Sequence, residues 1–368
     1  MLFAVAGTIE LTSPVYIRSS YLTIDGCSAP DPGITITQRP DKPQRRGNGV
    51  LIEGTRGYTH DIVLQCIRFK GVHDQDPVQQ VGAGILSVGA DCAQVPLKQR
   101  CRGDWLSGAE DGGVANLVFD RITFATSRDK LALWGKIRNV AITRSFFYRN
   151  PLALLFSYYG GPYDLQRLDL VLNGNVFAQN NERNPQVRGW TDRLDIRNNI
   201  IHDWDAFPPL LALDAVIGDG YGIRIRNEAG ERVVNANIVG NLFTGGASAQ
   251  SRALIYGFKP GMDLQDLGAS ECLPQGDLYT LTELGRLWTS NNRLPAANCD
   301  HYSTTEAPVR RPDWDNRETL PTENLCDALL PAVGAPFRTG LEKDILAQIR
   351  IAAGCKSDAA APLSPDPS

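Results

Sequence analysis

No run of this chain approaches the about 20 consecutive apolar residues that a membrane-spanning helix needs, which argues against a membrane partner. Basic charge is not in excess. Lys and Arg number 37 against 41 Asp and Glu, a net charge of −4, so the chain has no global cationic footprint for nucleic acid. The eight cysteines include no CxxC pair, which argues against a zinc ribbon. The four histidines, His60, His73, His202 and His301, are too scattered to make a metal motif. GxSxG, P-loop and GxGxxG sequences are also missing, and with them the nucleophile elbow and the phosphate-cradling loops. Helical periodicity is scarce. It surfaces only near the C-terminus, where LEKDILAQIRIAA predicts an amphipathic helix over Leu341–Ala353.

What the chain does contain is a repeat. Six eight-residue segments align: Ile62–Phe69, Leu117–Phe124, Val140–Phe147, Leu170–Phe177, Leu194–Ile201 and Ala236–Phe243. Their first and third positions are apolar throughout, and the last is Phe in five and Ile in one. Alternating apolar positions filled by β-branched and aromatic residues read as half-buried strands. The starts are separated by 55, 23, 30, 24 and 42 residues. The shorter gaps suit one coil of a solenoid, and the longer ones suit extra coils or loops budding from one side. The sixth position is Asn175, Asn199 and Asn241 in the last three segments, which predicts stacked amides at a tight bend. The competing reading is six unrelated amphipathic strands in a sandwich or barrel, and the shared phase over eight positions argues against it. Upstream, Ala4–Leu11, Val15–Ile17, Leu22–Ile24, Ile34–Gln38 and Val50–Glu53 continue the strand pattern between Gly, Pro, Asn and Asp punctuation.

The expected organisation is one β-helix domain over 1–355, with insertions at about 72–113 and 244–300, a Pro- and charge-rich wrapping loop at 303–324, and a low-complexity, disordered tail at 356–368. An even cysteine count suggests disulfides and an oxidising compartment, with buried thiols in a cytosolic protein as the alternative. Cys92 and Cys101 bracket a short loop, Cys272 pairs with Cys299 and Cys326 with Cys355, leaving Cys27 and Cys66. No signal peptide precedes the first strand, so either the real start lies upstream or this is a mature or trimmed form; the protein is expected to be secreted and monomeric.

Two groups of residues carry candidate chemistry. Arg183 and Arg188 flank Pro185 in NNERNPQVR, with Arg193, Arg197, Arg224 and Arg226 beyond. Arg binds carboxylates bidentately, so the run suggests an anionic ligand. Against this, 29 of the 37 basic residues are Arg, and any window is rich in it. The acidic group is Asp104, Asp120 and Asp129. Carboxylates without His or Cys suit Ca²⁺, although turn-capping Asp residues are common.

Several motifs resemble those of the pectate lyase superfamily, polysaccharide lyase family 1 and its bacterial relatives. They are VAGTIELTSPVYIRSSYLTIDGCSAPDPGITI at 5–36, IVLQCIRFKG at 62–71, GDWLSG at 103–108, LVFDRITFATSRDKLALWG at 117–135, NGNVFAQNNERNPQVR at 173–188 and VGAPFRTGLEKDILAQI at 333–349. The resemblance spans nearly the whole chain apart from the insertions and tail, and its R-x-P-x-x-R element is fairly specific. It implies an all-β, single-stranded right-handed parallel β-helix that cleaves polygalacturonate (pectate) by Ca²⁺-assisted β-elimination, as in pectin degradation. Carried over residue by residue, Arg183 matches the catalytic base, Arg188 the substrate-binding Arg, Asp104 a calcium ligand and Asp129 another. The departures fall in the same region. Pro151 stands where the family has a Lys, and Leu133, beside Ala132, where it has a further calcium carboxylate. The family's Asp-Glu and Asp-His pairs are Asp129-Lys130 and Asp120-Arg121, and Lys130 supplies a substituting cation. The expected function is therefore an acidic-polysaccharide lyase. The alternatives are a β-helix that binds an acidic glycan without cleaving it, and a β-helix glycoside hydrolase using a pair such as Asp203 and Asp205.

Overall fold

The computed structural model describes residues 1–38, 49–54, 57–71, 85–90, 112–125, 131–156, 166–204, 221–226, 234–245, 252–256, 285–294 and 305–355. Each coil contributes one strand to each of three parallel sheets, and among the described residues every sheet has eight strands. Sheet I holds β1 (Gly7–Leu11), β4 (Ile34–Gln38), β7 (Ile67–Lys70), β10 (Thr123–Ala125), β13 (Phe146–Tyr148), β16 (Val176–Ala178), β19 (Ile200–His202) and β22 (Leu242–Thr244). Sheet II holds β2 (Val15–Ile17), β5 (Val50–Glu53), β8 (Leu86–Ala90), β11 (Leu131–Gly135), β14 (Leu154–Phe156), β17 (Gln186–Arg188), β20 (Tyr221–Arg226) and β23 (Arg252–Tyr256). Sheet III holds β3 (Leu22–Asp25), β6 (Tyr58–Gln65), β9 (Gly113–Asp120), β12 (Ile137–Thr143), β15 (Arg167–Asn173), β18 (Thr191–Arg197), β21 (Val234–Val239) and β24 (Leu287–Ser290). This is the right-handed parallel β-helix expected from the sequence. The repeat extends one unit at each end, because Leu22 pairs with Ile62 and Leu287 with Ala236 in the same phase. The segments read as insertions also carry solenoid strands: β8 lies in the first, β23 and β24 in the second.

Identical positions of successive coils stack, and this stacking builds the core. Phe69, Phe124, Phe147 and Phe177 form one file of rings with centroids 5.6, 4.6 and 4.6 Å apart. At the sheet III to sheet I corner the predicted amide ladder is present. Asn199 Oδ1 accepts from the Asn175 backbone N–H (2.9 Å) and from Asn175 Nδ2 (3.0 Å). Asn241 Oδ1 serves Asn199 in the same way, at 3.0 and 2.9 Å. The ladder has a further rung at Asn292. These amides satisfy backbone groups at a bend where the preceding residues, Gly174, Asn198, Gly240 and Asn291, all have φ between 54 and 73°.

Sheet III carries a regular irregularity. Asp61, Asn116, Asn139, Asp169 and Arg193 occupy the same place on successive strands with φ of 53–59°, and the pairing steps over them. The extra residue reverses the alternation of faces on its N-terminal side. Thr59, Val114, Ile137, Arg167 and Thr191 consequently form an inward column three residues before the column of Ile62, Leu117, Val140, Leu170 and Leu194; in β21, where the register shifts, Val234 continues the column two residues before Ala236.

The C-terminal part lies on the outside. Residues 305–324 run over sheet III, where Asn237 and Val309 exchange hydrogen bonds of 2.8 and 2.9 Å. Helices α1 (Leu325–Leu329) and α2 (Gly340–Ala353) follow and pack on sheet I, burying Leu325, Ile345 and Ile349 against Phe146, Val176 and Ile200. The α2 helix starts within one residue of its expected place. A capping box between Thr339 and Glu342 opens it, and Gly354 closes it at φ 67°. Disulfides join Cys27 to Cys66 and Cys326 to Cys355. The other two proposed pairs lie outside the described residues. No helix among the described residues is long and apolar enough to cross a membrane.

Candidate functional site

The connection from β16 to β17 carries the R-x-P-x-x-R residues, and a second set of amides shapes it. Asn180 is buried. Its Nδ2 donates to the Phe147 carbonyl and to Asn184 Oδ1, both at 3.0 Å, while its Oδ1 accepts from the Asn150 N–H one coil away at 2.9 Å. The backbone of 182–185 is then held from both sides. The Glu182 and Arg183 carbonyls accept from Ala153 and Leu154 at 3.0 and 2.8 Å. On the other side, the Asn184 N–H donates to the Gly222 carbonyl and the Pro185 carbonyl accepts from Arg224, at 3.1 and 3.0 Å. Arg183 sits in this clamp at φ 64°, a left-handed conformation costly for a side chain as large as Arg. The Asn184–Pro185 peptide is cis. Such a residue persists only where its surroundings over-determine it, and the four flanking backbone bonds do that here.

Strand β17 sends Val187 into the core and Gln186 and Arg188 outward. Register places Arg224 beside Gln186 and Arg226 beside Arg188 on the next coil. Arg188 and Arg224 are nonetheless buried. Immediately behind them is Arg167, which occupies the inward column of sheet III. Its Nη2 donates to the Arg188 carbonyl at 2.9 Å, its Nε to Thr191 Oγ1 at 3.1 Å, and its backbone N–H to the Trp190 carbonyl at 3.1 Å. Burial, reinforced by the like charge of Arg188, pulls its pKa down to about 10.

The arginine run thus divides. Arg183, Arg188 and Arg224 gather where the β16–β17 connection meets sheet II. Arg193 and Arg197 belong to sheet III and serve structure there. Arg193 pairs with Asp169 at 2.8 Å, and Arg197 lies between Asp195 and Asp315, the latter at 2.7 Å. Asp120 is likewise taken up at the sheet III corner, by Arg144 Nη2 at 2.7 Å and Thr143 Oγ1 at 2.7 Å. Leu133 points into the core and Pro151 is buried, so neither position offers a polar group to the outer face. Asp203 is at the corner after β19; its suggested partner Asp205 lies outside the described residues.

Lys130, Asp104 and Asp129 also lie outside the described residues. In the chain, 129–130 directly precede β11, as Arg183–Pro185 directly precede β17. Their hard oxygen donors, without sulfur or imidazole, match calcium chemistry. Among the described residues no three His, Cys, Asp or Glu side chains come together as a metal centre. A separate cavity of about 270 Å³ opens on sheet III beside Arg193, Arg286 and Arg310. Its carboxylate, Asp192, is already engaged by Gln166, Trp190 and Asn235.

Arg167 and Glu182 escape a reading of the sequence. Counting alternate residues back from Leu170 puts Leu168 inside and Arg167 outside; the bulge at Asp169 reverses them. Glu182 stands beside Arg183 in the motif, and nothing in its type or spacing distinguishes its buried carboxylate.

No family model matches this sequence, and no curated protein matches it. Solved structures do. A pectate lyase from Acidovorax avenae subsp. citrulli superposes with a TM-score of 0.51 at 13% identity, over 88% of this chain and 66% of that one. A thermostable pectate lyase gives 0.48 at 12% identity over 89% and 70%. A pectate lyase from Bacillus sp. N165, in complex with trigalacturonate, gives 0.45 at 12% identity over 88% and 85%. The chain shares the parallel β-helix fold of pectate lyases.

Proposed function

We propose that this protein is a secreted polysaccharide lyase acting on an acidic glycan of the polygalacturonate class, with Arg183 as the base. One observation carries the reading: the Arg183 backbone is clamped in a left-handed conformation between two coils, beside the outward Gln186 and Arg188 of β17 and the Arg224 that pairs with Gln186. Left-handed arginines recur at other corners and bulges, Arg144 and Arg193 among them; at Arg183 the flanking backbone bonds on both sides fix where the side chain leaves the chain.

The C5 hydrogen of a uronate is barely acidic, because its removal adds negative charge beside an existing carboxylate. Arg188, with Arg224, binds that carboxylate and stabilises the developing enolate-like anion. Arg183 takes the C5 proton. The electron pair forms the C4–C5 double bond, the C4–O bond breaks, and the departing oxygen takes a proton from water. An arginine side chain is almost entirely protonated at neutral pH, so little of it has a free lone pair to take a proton. Neighbouring cations favour its neutral form, so activity rises toward alkaline pH. Calcium, held by Asp104 and Asp129, would add positive charge at the uronate carboxylate. Lys130 adds a further cation to the substrate side.

A second reading, an acidic-glycan-binding β-helix without turnover, is favoured by the inward Leu133 and the buried Pro151 in place of charged groups. The test is the near-ultraviolet absorbance of unsaturated uronides from polygalacturonate at alkaline pH, with added Ca²⁺ or chelator, for the native protein and Arg183→Ala. A Ca²⁺-dependent rise absent from the variant supports the lyase. Equal activity in Arg183→Ala removes Arg183 as the base. Binding without product leaves the second reading, and saturated products indicate a hydrolase.

A further inference from the structure

On β11, Leu131 and Leu133 enter the core while Ala132 and Trp134 face outward. Trp134 is half-buried, and its position is dictated by the neighbouring coil. In register it pairs with Gly89 of β8. A Cβ at that glycine would collide with Trp134 Cε2, Cζ2 and Cδ2. The indole therefore lies across a position that only glycine can occupy. The ring is held against the sheet on that side, and the residue as a whole is half-buried. The same row runs from Glu53 of β5 through Gly89 to Trp134, and the neighbouring pairs, Leu133 with Phe156 and Phe156 with Val187, set Trp134 level with Arg188 two strands further on. Neighbouring strands are about 4.8 Å apart, so Trp134 and Arg188 are roughly 10 Å apart along the solenoid axis.

We propose that Trp134 is a platform for one pyranose ring of the bound glycan, at a subsite displaced from Arg188 along the outer face of sheet II. The inference rests on the reading that Arg183 and Arg188 engage an acidic glycan. A pyranose presents polar hydroxyls at its rim and an apolar face of C–H groups. That face matches the negative quadrupole of an indole, whereas the carboxylate requires the cations further along the row. A ring already held across Gly89 has little conformational freedom left to lose on binding. Sheet II would then read the two chemistries of a uronan separately, with carboxylate on arginine and ring face on Trp134.

The test is calorimetric titration of trigalacturonate and hexagalacturonate into Arg183→Ala, which stops turnover, with and without Trp134→Ala or Trp134→Phe. The platform predicts that Trp134→Ala weakens hexagalacturonate by about tenfold. Trigalacturonate, short enough to bind at the arginines alone, changes little, and Trp134→Phe restores most of the loss. A purely structural Trp134 would weaken both oligomers alike and lower the melting temperature. That pattern, or equal hexagalacturonate affinity with and without Trp134, overturns the inference. No binding by Arg183→Ala at either length also overturns it. Unsaturated product from the native protein in the same preparations then keeps the lyase reading, and its absence removes both.

Discussion

Arg167 reaches from inside the solenoid to the carbonyl oxygen of Arg188, 2.9 Å away, so the residue proposed to bind substrate is held from behind by a second cation. Arg167 is 1% exposed, and its hydrogen bonds go to neutral oxygens of Arg188 and Thr191. Keeping this charge in the core carries a desolvation cost, which the depressed pKa of about 10 expresses. Arg167→Met removes both the charge and the support of the Arg188 carbonyl. Arg167→Lys keeps a more strongly hydrated charge and loses the planar fork that reaches two acceptors. Arg167→Lys is therefore the less stable of the two, by about 1–3 kcal/mol in denaturant unfolding. The reverse order would mean that the charge itself is compensated in the core.

The amide ladder makes a graded prediction. Asn199 is fully buried; it accepts two bonds from Asn175 and donates to Asn241 Oδ1 and the Leu172 carbonyl. Asn199→Ala orphans groups on both neighbouring coils, a loss of roughly 3 kcal/mol. Asn292, the last described rung at 8% exposure, has a partly wetted neighbourhood, and Asn292→Ala costs roughly half as much. Equal losses in chemical denaturation would show that the rungs act independently of their depth.

The solenoid was legible in the sequence because stacking forces chemically similar residues into the same phase. Phe124, Phe147 and Phe177 had to align to share one file, and Asn175, Asn199 and Asn241 to share one ladder. Units with weaker signals, Leu22–Ala29 and Leu287–Leu294, keep the phase but lack the final Phe, so they escaped the alignment. Much of the site was hidden for a different reason. Its groups come from the corners and from the far side of a bulge, where alternation no longer tells inside from outside. Arg197 belongs to the same arginine-rich run as Arg188, but it lies on sheet III, where Asp195 and the Asp315 brought by the C-terminal segment take it up.

That path depends on pH. Burial pushes the Asp315 carboxyl upward, but Arg197, Arg317 and Arg311 and the Arg317 N–H outweigh it, and the net shift is downward. A carboxylate lowered on folding contributes stability that is present above its unfolded pKa of about 3.9 and is lost as pH falls below that through the folded value. Asp169 runs the other way, because its burial dominates Arg193 and Arg138 and raises it. At about pH 3 the segment 305–324 therefore loosens before the coils do. Hydrogen exchange checks this. After correction for intrinsic rates, the amides of Val309 and Leu320, bonded to Asn237 and Asn198, lose protection while those of Asn175 and Asn199 keep it. Asp315→Asn should produce the same pattern at neutral pH. Uniform protection at about pH 3 would show that contacts other than Asp315 hold the segment.

Glu342 does two jobs at the start of α2. Its Oε2 accepts from the Thr339 N–H at 2.7 Å, completing the capping box, and its two oxygens accept from Arg68 of β7 at 3.0 Å each. Glu342 and Arg68 are 1% and 5% exposed, so each is the other's counter-ion in a site closed to water. Glu342→Gln leaves the Arg68 charge stranded beside the Phe337 carbonyl and costs about 3–5 kcal/mol. Replacing both partners with Met removes the stranded charge and recovers much of that loss, although the cap is still missing. The comparison of single and double variants in denaturant unfolding separates the two contributions. Because α2 lies on sheet I, away from the outer face of sheet II, Glu342→Gln protein that remains folded should retain native affinity for hexagalacturonate. A lost affinity in such folded protein would instead couple the helix to the arginine site.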